Sequence, residues 1–393
     1  MQSPATDSPD RRLRLLFFYD AVYPESLGGV EHRNYQLARA LARRGHEVTI
    51  AGWFDAVDSG DSGVRYLRLP GKAGLYTAEG KRSTLAAIRL ALAAARLDLS
   101  QYDAVETANI PYIHVVPLSV RAWLQRRPLF VTWHEYWGLY WRDYLPGFRW
   151  PVYAALEWLA AQLGTRTSAV STFTAERLRR RRLRKQEITL IPNGIPLERI
   201  RSVPIAEPGP PLVYAGRLLR EKRLDLLLEA VRALPAREDG RLLTIIGDGP
   251  DRERLQRLAA GLGVEDRVEF TGRLPAPEDV WSRMTSARIA VQPSSREGFG
   301  MFPLEAMALG LPVVYCESPE SALPELVRNG VEGVETPADA HSLARTLDHL
   351  LANPAEVERM AQAARLRAAE YDWDAIAARF EAMVAKVRLR QPA

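Results

Sequence analysis

The sequence predicts an α/β protein built from two Rossmann-like domains, each a doubly wound parallel sheet, that face each other across a cleft. The chain has 393 residues, which is too long for one ordinary hydrophobic core. A strand, a turn, a helix and a second strand follow one another at residues 12–53 and again at residues 211–250. A stretch rich in proline, which is typical of a linker, lies between these two copies.

The first copy begins with the apolar segment RLRLLFFYD and continues into a loop that contains Gly28 and Gly29. The spacing of the next apolar residues predicts an amphipathic helix. These residues are Val30, Leu37, Ala38 and Leu41. Gly45 lies where the C-terminus of this helix is expected.

The second copy repeats the pattern after the apolar segment PLVYAG. Its helix is predicted from apolar residues at positions i, i+3, i+4 and i+7. These residues are Leu224, Leu227, Leu228 and Val231. The strand LLTIIGDG follows, so each copy supplies the unit from which a doubly wound sheet is built.

The linker contains six prolines between Pro192 and Pro211. We therefore expect an N-terminal domain at residues 12–195 and a C-terminal domain at residues 205–370. Ligands of open parallel sheets bind beyond the carboxyl ends of the strands. The active site is thus expected to use loops of both domains.

Composition narrows the class of protein. Hydrophobic residues make up 47% and charged residues 26% of the chain, as in ordinary folded proteins. The single cysteine, Cys316, cannot form an internal disulfide, which favours a reducing compartment and a cytoplasmic location. No signal peptide is predicted, and no apolar run reaches the roughly 18 residues of a spanning helix. Any contact with a membrane is expected at its inner face, from the surface.

The net charge of the chain is a modest +5, but several of its basic residues are concentrated in one run. Its members are Arg177, Arg179, Arg180, Arg181, Arg182, Arg184 and Lys185. Three explanations stay open: a solvated helix end, a contact with anionic lipid headgroups, or a contact with a phosphate-bearing substrate. A nucleic-acid partner is not expected, because the chain has no recognisable nucleic-acid-binding motif.

Seven motifs follow one another in an order that is typical of one enzyme family. They are GGVE at 28–31, WHE at 133–135, IPNGI at 191–195, YAGRLLREKRLD at 214–225, IIGDGP at 245–250, FTGRLP at 270–275 and REGFGMFPLEAMALGLPVV at 296–314. With them the chain resembles the retaining nucleotide-sugar glycosyltransferases of family 4 (glycosyltransferase group 1), which have the GT-B fold. The resemblance implies an N-terminal acceptor domain, a C-terminal donor domain and a last helix, residues 373–389, that crosses back to the N-terminal domain.

Two cations are expected to bind the diphosphate of the donor. Arg217 and Lys222 lie in the loop after the first strand of the second domain. Fixed cations there would stabilise the charge that develops on the leaving diphosphate, and the resemblance gives both residues that role. The alternative is a solvent-facing helix start. Arg223 departs from the family, which usually has glycine after the lysine.

Two acids surround a glycine-rich turn. Glu297 resembles the family glutamate that holds a hydroxyl of the transferred sugar, and Glu305 resembles the one that accepts hydrogen bonds from the ribose. Gly298, Phe299 and Gly300 precede a helix predicted at residues 302–309, whose backbone amides favour an anion. The alternative is that both acids merely complement the helix dipole. Neither acid is predicted to be a proton donor or a nucleophile.

His134 follows an apolar strand, and in the family this histidine lies beside the reacting sugar. A structural role is the alternative. Gly28 and Gly29 permit close approach of phosphate and sugar before a helix N-terminus, although a glycine pair can also be a simple turn. The family motifs also assign donor contacts to five further residues, which are Gly247, Asp248, Gly272, Arg273 and Leu274.

Several departures and absences complete the predicted site. Ser321 and Ala322 stand where the family usually has a glycine pair, so this loop departs from the family pattern for backbone contacts to the donor. Asp372 and Asp374 match an Asp-x-Asp metal motif, but they precede an amphipathic helix for which Asp374 is the expected N-cap. Neither a metal ion nor another cofactor is therefore expected; a nucleoside diphosphate sugar is the donor substrate.

The acceptor is expected to bind near an aromatic segment of the N-terminal domain. Its members are Trp133, Tyr136, Trp137, Tyr140, Trp141, Tyr144, Phe148, Trp150, Tyr153 and Trp158. Such rings can stack on sugars, line a lipid channel or lie at a bilayer interface, or they can simply pack in a core. Together with the basic run they slightly favour a lipid-linked glycan or membrane-surface acceptor.

The predicted activity is that of a retaining, metal-independent hexosyltransferase (EC 2.4) that uses a UDP- or GDP-sugar. The first alternative is a glycosyltransferase with a small soluble acceptor, such as a sugar phosphate, a glycoside or a natural product. A sugar-nucleotide epimerase of the same fold and a non-catalytic module that binds nucleotide-sugar are the others.

Overall fold

The computed structural model describes residues 12–26, 28–57, 60–75, 83–145, 147, 149–163, 166–183, 187–235 and 240–388. Phe148, Arg184, Lys185 and the last residue of the predicted helix 373–389 lie outside this part of the chain. Two compact units divide the fold: residues 1–194 with 373–393, called the N-terminal unit, and residues 195–372, called the C-terminal unit.

The N-terminal unit is built on a parallel sheet. Its strands are β1 (Arg14–Ala21), β2 (Glu47–Trp53), β3 (Val64–Arg68), β4 (Ala104–Ala108), β5 (Leu129–Trp133), β6 (Arg166–Ala169) and β7 (Ile188–Leu190). Within the described residues they are arranged in the order β3-β2-β1-β4-β5-β6-β7. The order reverses between β1 and β4, which is the switch point at which a Rossmann-like sheet binds its ligand.

Helices cover both sides of this sheet. They are α1 (Gly29–Arg43), α2 (Thr84–Arg96), α3 (Val115–Leu124), α4 (Trp141–Tyr144), α5 (Arg149–Gln162) and α6 (Thr172–Arg181). Side chains of β1 alternate between the two faces. Leu16 and Phe18 pack in a core with α2 and α3, whereas Leu15 and Phe17 pack in a second core with α1. A strand that is apolar on both faces is therefore explained by two helical layers.

The last helix of the chain, α15 (Trp373–Arg388), belongs to the N-terminal unit. Phe380 stacks on Phe17 of β1 with ring centroids 5.7 Å apart. Glu381 pairs with Arg44, just after α1, with 2.6 Å between Oε2 and Nη2. The predicted return of this helix to the N-terminal domain is confirmed.

The C-terminal unit repeats the plan with a second parallel sheet. Its strands are β8 (Leu212–Ala215), β9 (Leu243–Ile246), β10 (Val268–Gly272), β11 (Ile289–Gln292), β12 (Val313–Cys316) and β13 (Gly333–Thr336). Their order, β10-β9-β8-β11-β12-β13, reverses between β8 and β11. Ala290 of β11 lies beside Val213 of β8 in this register.

The helices of the C-terminal unit include the two that the sequence predicts, one that contains residues 224–231 and one at residues 302–309. The helices are α7 (Leu197–Arg201), α8 (Leu224–Ala233), α9 (Arg252–Leu262), α10 (Pro277–Met284), α11 (Met301–Leu309), α12 (Leu323–Leu326), α13 (Ala340–Ala352) and α14 (Pro354–Ala369). The helix predicted at residues 302–309 is α11, and Gly310 ends it with a φ of 83°. Two parallel-sheet α/β units confirm the predicted fold class.

Candidate functional site

The switch point of the C-terminal unit brings together a cation and an acid from different loops. Lys222 follows β8 and Glu297 follows β11, the two strands between which the order reverses. Lys222 Nζ lies 2.7 Å from Glu297 Oε2, and both side chains keep some exposure to solvent, 20% and 15%. Residues that are 75 positions apart in the chain thus meet where such sheets bind ligands.

Gln292, a residue that the sequence analysis missed, also holds Glu297. Its Nε2 donates to Glu297 Oε2 over 2.9 Å and to Ser294 Oγ over 2.8 Å. The Gln292 side chain is buried at the end of β11. A polar residue that ends the apolar strand IAVQ is the signal that could have identified it. With Lys222 and Gln292 as donors, the Glu297 carboxylate is fixed before any ligand arrives.

The loops after β8, β9 and β10 pack backbone against backbone. Leu218 N donates to Asp248 O over 3.0 Å, and Gly247 N donates to Gly272 O over 2.9 Å. Gly247 has a φ of 129°, and a Cβ there would lie 2.0 Å from the carbonyl oxygen of Gly216. Only glycine fits such an approach. Gly247 and Gly272, which are predicted to contact the sugar donor, therefore take part in the backbone contacts between these loops.

Arg217 and Arg223, in the loop after β8, differ in side-chain contacts and in backbone conformation. The Arg217 side chain is exposed, and none of the described residues forms a hydrogen bond or ion pair with its guanidinium. Its backbone carbonyl is held by the Tyr214 hydroxyl over 3.3 Å. Arg223 has a left-handed backbone, with φ 50° and ψ 39°, just before α8. The family's glycine at this position thus meets a backbone requirement, and arginine adopts the same conformation under strain.

Glu305 lies in the second turn of α11, partly buried. Burial raises the pKa of its carboxyl to about 7, and a hydrogen bond from the Trp281 indole opposes that rise. Gly300, which precedes α11, has a φ of 103°, and a Cβ there would lie 2.7 Å from Leu323 Cδ2. The backbone alone therefore requires glycine at this turn. The first amides of α11 have no carbonyl partner within the helix.

The remaining donor residues predicted for this unit lie around the same loops. Asp248 accepts a hydrogen bond from Gly249 N over 2.8 Å, and Arg273 is exposed next to the half-buried Leu274. Phe299 is buried, with its ring edge against Tyr371 at 5.9 Å between centroids. The Phe299 ring is engaged in packing, which leaves its backbone for a ligand.

The departure at Ser321 and Ala322 also has a local explanation. Ala322 N donates to the carbonyl of Glu297 over 2.8 Å, and Ser321 Oγ accepts from Leu323 N over 3.2 Å at the start of α12. The loop is thus tied to Glu297 by its backbone, which any residue type supplies. The bond from Leu323 N to the serine hydroxyl is a local ST turn just before the short helix.

In the N-terminal unit, Gly28 and Gly29 mark the start of α1. Gly28 precedes the helix with φ −80°, and a Cβ there would lie 2.2 Å from a Glu31 carboxylate oxygen. Gly29 has open space around it. Gly29 thus leaves open space at the start of α1, whereas the position beside Gly28 is taken by the Glu31 carboxylate, which also accepts a hydrogen bond from the Ser26 hydroxyl.

His134 follows β5, also at the carboxyl end of the sheet. Its N–H contacts Asn109 Oδ1 at 3.4 Å, and its carbonyl accepts a bond of the same length from the Thr174 hydroxyl. Burial, together with the positive charge of Arg33, lowers the pKa of the imidazole to about 3. His134 is therefore neutral at physiological pH, and its buried Nε2 accepts from none of the described residues.

Arg33 and Glu106 form a buried pair that the sequence analysis did not single out. Arg33 Nη1 lies 3.7 Å from Glu106 Oε1, and both side chains are almost fully buried. Thr132 donates to the same Glu106 oxygen. Burial raises the pKa of Glu106 to about 7. Arg33 shares the inward stripe of α1 with Leu37 and Leu41, which is the signal that could have identified it.

The acidic motif near the C-terminus has structural contacts. Helix α15 begins at Trp373, so Asp374 lies in its first turn and is not the predicted N-cap. Asp374 pairs with Arg43 at 2.7 Å, and Asp372 Oδ2 accepts from Leu197 N at 3.3 Å. Among the described residues no three His, Cys, Asp or Glu side chains are grouped as metal ligands.

Most of the aromatic segment packs inward. Trp133, Tyr136 and Trp141 are buried, and Trp137 contacts Trp141 with ring centroids 4.6 Å apart. Trp158 is an exception, with 41% of its surface exposed. Core packing thus accounts for much of this segment, which the sequence alone left open. Within the described residues, no helix has both the length and the apolar character that crossing a bilayer requires.

Comparisons with known proteins agree with this architecture. Residues 27–199 match the family described as Glycosyltransferase Family 4, and residues 198–367 match Glycosyl transferases group 1. The chain belongs to glycosyltransferase family 4. Together the two matches cover residues 27–367, which include the predicted motifs, and they confirm the resemblance.

Individual relatives show how much of each chain the similarity covers. A D-inositol 3-phosphate glycosyltransferase of Streptomyces bingchenggensis is 37% identical over 181 residues, which are 42% of this chain and 38% of the relative. This family 4 chain thus spans less than half the length of that relative. A sucrose-phosphate synthase of Thermosynechococcus elongatus has a similar structure, with TM-score 0.79 and 22% identity over 97% of this chain and 100% of that one.

Another similar structure is that of Anabaena HepE, solved in complex with UDP and glucose. Its TM-score is 0.72, with 18% identity over 95% of this chain and 100% of that chain. At such low identity these structures establish the shared GT-B fold of this family 4 chain. Their ligands and activities are properties of those proteins.

Proposed function

We propose that this chain is a retaining glycosyltransferase that moves a hexose from a nucleoside diphosphate sugar to an acceptor hydroxyl. The observation that carries the proposal is the Lys222–Glu297 contact at the switch point between β8 and β11. Membership of family 4 supports it. The UDP and glucose bound to the structurally similar HepE support a nucleotide-sugar as the donor.

The leaving group would be stabilised by two cations of one loop. As the bond between the anomeric carbon and the phosphate oxygen breaks, negative charge grows on the diphosphate, and fixed positive charge lowers the barrier. Lys222 is already held in place by Glu297, whereas Arg217 is exposed. Arg217 is the cation that can turn toward a diphosphate at no cost in existing ion pairs.

The two acids would bind hydroxyl groups of the donor. Glu305 accepts hydrogen bonds from the ribose, and Glu297 accepts one from the transferred sugar. In this proposal the Glu297 side chain, held by Lys222 and Gln292, acts as a hydrogen-bond acceptor. The proposed attack comes from the face that the diphosphate leaves, with a phosphate oxygen as base, so that the anomeric configuration is retained.

His134 suits a position beside positive charge. An oxocarbenium-like carbon would be repelled by an imidazolium ion. The pKa of His134, lowered to about 3, keeps the ring neutral throughout the physiological range. Its lone pair and its backbone carbonyl are then both negative ends of dipoles, which stabilise a developing cation.

Metal independence is part of the proposal. Lys222 and Arg217 supply the positive charge that a divalent ion supplies in other transferases, and amides of α11 add partial charge. Turnover in excess EDTA should equal turnover with added Mg²⁺. A rate that collapses in EDTA and returns with Mg²⁺ would contradict this part.

The acceptor is proposed to be a lipid-linked glycan or another acceptor at the membrane surface. The names of the relatives point to different reactions, glycosyl transfer involving inositol 3-phosphate in one and synthesis of sucrose phosphate in another, so family membership leaves the acceptor open. The exposed apolar side chains of the N-terminal unit, which include Trp158, favour the membrane surface. A small soluble acceptor is the remaining candidate.

The proposal is tested by the release of nucleoside diphosphate from a panel of UDP- and GDP-sugars. Wild type should release it from at least one donor, and a Glu297→Ala variant should do so far more slowly. NMR of the first product formed should show the donor's anomeric configuration. Unchanged turnover in Glu297→Ala would remove the role given to that residue, and an inverted product would remove the retaining mechanism.

A further inference from the structure

Exposed apolar side chains are concentrated in one part of the chain, residues 85–183 of the N-terminal unit. Of the 14 large hydrophobic residues that are exposed in the described part of the chain, 11 lie between Leu85 and Leu183. The other three are scattered over the rest of the fold. Single exposed hydrophobic residues need no explanation, but a concentration of this kind marks an interaction surface.

Three helices that cover the same side of the sheet carry most of these residues. Helices α2, α3 and α5 all contribute to the core that contains Leu16 and Phe18. Thr84 Oγ1 of α2 lies 2.9 Å from Tyr153 Oη of α5, which joins the two helices directly. We call six of their outward side chains the apolar face. They are Leu85, Ile88, Leu92, Trp123, Leu124 and Trp158.

Helix α2 shows why this surface requires a partner. Leu85, Ile88 and Leu92 point outward with exposures of 55%, 46% and 51%, while Ala86 and Leu90 are buried on the inward side. A surface helix ordinarily has polar residues on its outer side, and a helix that is apolar all round is normally covered. About half the surface of each of these three side chains is exposed, although Arg89 beside them donates to the Lys72 carbonyl over 3.1 Å.

The exposed charges of the same three helices are all positive. Neither α2 nor α3 contains an acidic residue, and the one acid of α5, Glu157, is buried. Glu157 accepts backbone hydrogen bonds from Trp137 and Gly138 over 2.8 and 2.7 Å. Arg89 and Arg96 lie exposed on α2, beside the apolar side chains. A partner is therefore expected to be apolar beneath a negatively charged surface.

We infer that the apolar face docks onto an anionic lipid bilayer, with Leu85, Ile88, Leu92 and Trp123 entering the interface and arginines contacting the headgroups. Trp123 is 77% exposed, and tryptophan favours the boundary between headgroups and acyl chains. Surface cations next to inserted leucines provide the two kinds of attraction that interfacial helices use. No spanning helix exists among the described residues, so the protein would lie on the bilayer.

This inference does not rest on the glycosyltransferase proposal, because vesicle binding requires neither donor nor acceptor. The experiment is co-sedimentation of the full chain with vesicles of phosphatidylcholine alone and of phosphatidylcholine with phosphatidylglycerol. Wild type should bind the anionic vesicles, more weakly as salt is raised. The combined Leu85→Ser, Ile88→Ser and Leu92→Ser variant should bind about tenfold less or weaker still, because it loses most of the inserted apolar surface.

Matched controls separate docking from folding. Leu366→Ser changes a leucine that is 76% exposed on α14 of the C-terminal unit, and it should leave vesicle binding unchanged. The paired Arg89→Gln and Arg96→Gln variant should lower binding to anionic vesicles by about tenfold or more, and binding to neutral vesicles little. Trp123→Ser gives a second test of the apolar contribution: it should bind vesicles more weakly than wild type while keeping the wild-type melting temperature.

Two results would overturn the inference. Equal vesicle binding by wild type and the triple serine variant would show that the apolar face does not meet lipid. A wild-type dimer in sedimentation velocity that the triple variant converts to a monomer, without vesicle binding by either, would show that a second copy of the chain covers this face.

Discussion

Replacement of Arg217 by methionine separates ligand binding from folding. The guanidinium is exposed and has no ion-pair partner among the described residues, so its loss should change the free energy of unfolding by less than about 0.5 kcal/mol. A charge-assisted contact to a diphosphate contributes about 1.5–3 kcal/mol. At 1.4 kcal/mol per factor of ten, the dissociation constant for the nucleoside diphosphate should rise about 10- to 150-fold.

Isothermal titration calorimetry with UDP and GDP measures this change. Arg220→Met is the matched control, because Arg220 is exposed in the same loop and has no predicted role. The control should bind nucleotide as wild type does, and both variants should keep the wild-type melting temperature. Equal affinity for nucleotide in Arg217→Met and wild type would refute the assignment of Arg217 to the diphosphate.

Four further predictions concern stability and turnover. Lys222→Met should lower turnover by about 100-fold or more. Its melting temperature should barely change, because partly exposed ion pairs contribute at most about 1 kcal/mol. Burial raises the pKa of Glu305 to about 7, so its contribution to stability is full below about pH 4.5 and is lost as pH rises through 7. The free energy of unfolding in urea should therefore be higher for Glu305→Gln than for wild type, by up to about 3 kcal/mol at pH 8, and the two should be equal near pH 4. Gly247→Ala should lower the melting temperature by several degrees through its backbone clash, whereas Gly261→Ala, with open space in α9, should not. Arg223→Gly should raise the free energy of unfolding by about 1 kcal/mol, by removing a side chain from a left-handed backbone.

Much of the fold was predictable because its signals are local. The alternation of strand, glycine turn and amphipathic helix appears twice in the sequence, and each copy opens a parallel sheet; the six-strand order of the second matches the first six strands of the first. Helix α11 and its terminal Gly310 lie where spacing and glycine chemistry placed them. The assigned roles of Arg217, Glu297 and Glu305 remain predictions that the experiments above test.

The parts that could not be predicted depend on contacts between distant segments. The contact between Lys222 and Glu297, which are 75 positions apart, requires knowing which end of β11 lies beside the loop after β8. The pair of Arg33 with Glu106 joins residues of α1 and β4 across a buried layer, and no motif announces it. Sequence spacing also placed the N-cap of the last helix at Asp374, although Asp374 lies in the first turn and pairs with Arg43.

The central claim is that the switch point of the C-terminal unit holds a nucleoside diphosphate sugar. A crystal structure of the chain with the donor that it turns over tests this most directly. The account predicts the diphosphate in contact with Arg217 and Lys222, the ribose hydroxyls on Glu305 and a sugar hydroxyl on Glu297. A donor bound elsewhere, with the Lys222–Glu297 contact untouched and no ligand near Arg217, would contradict it.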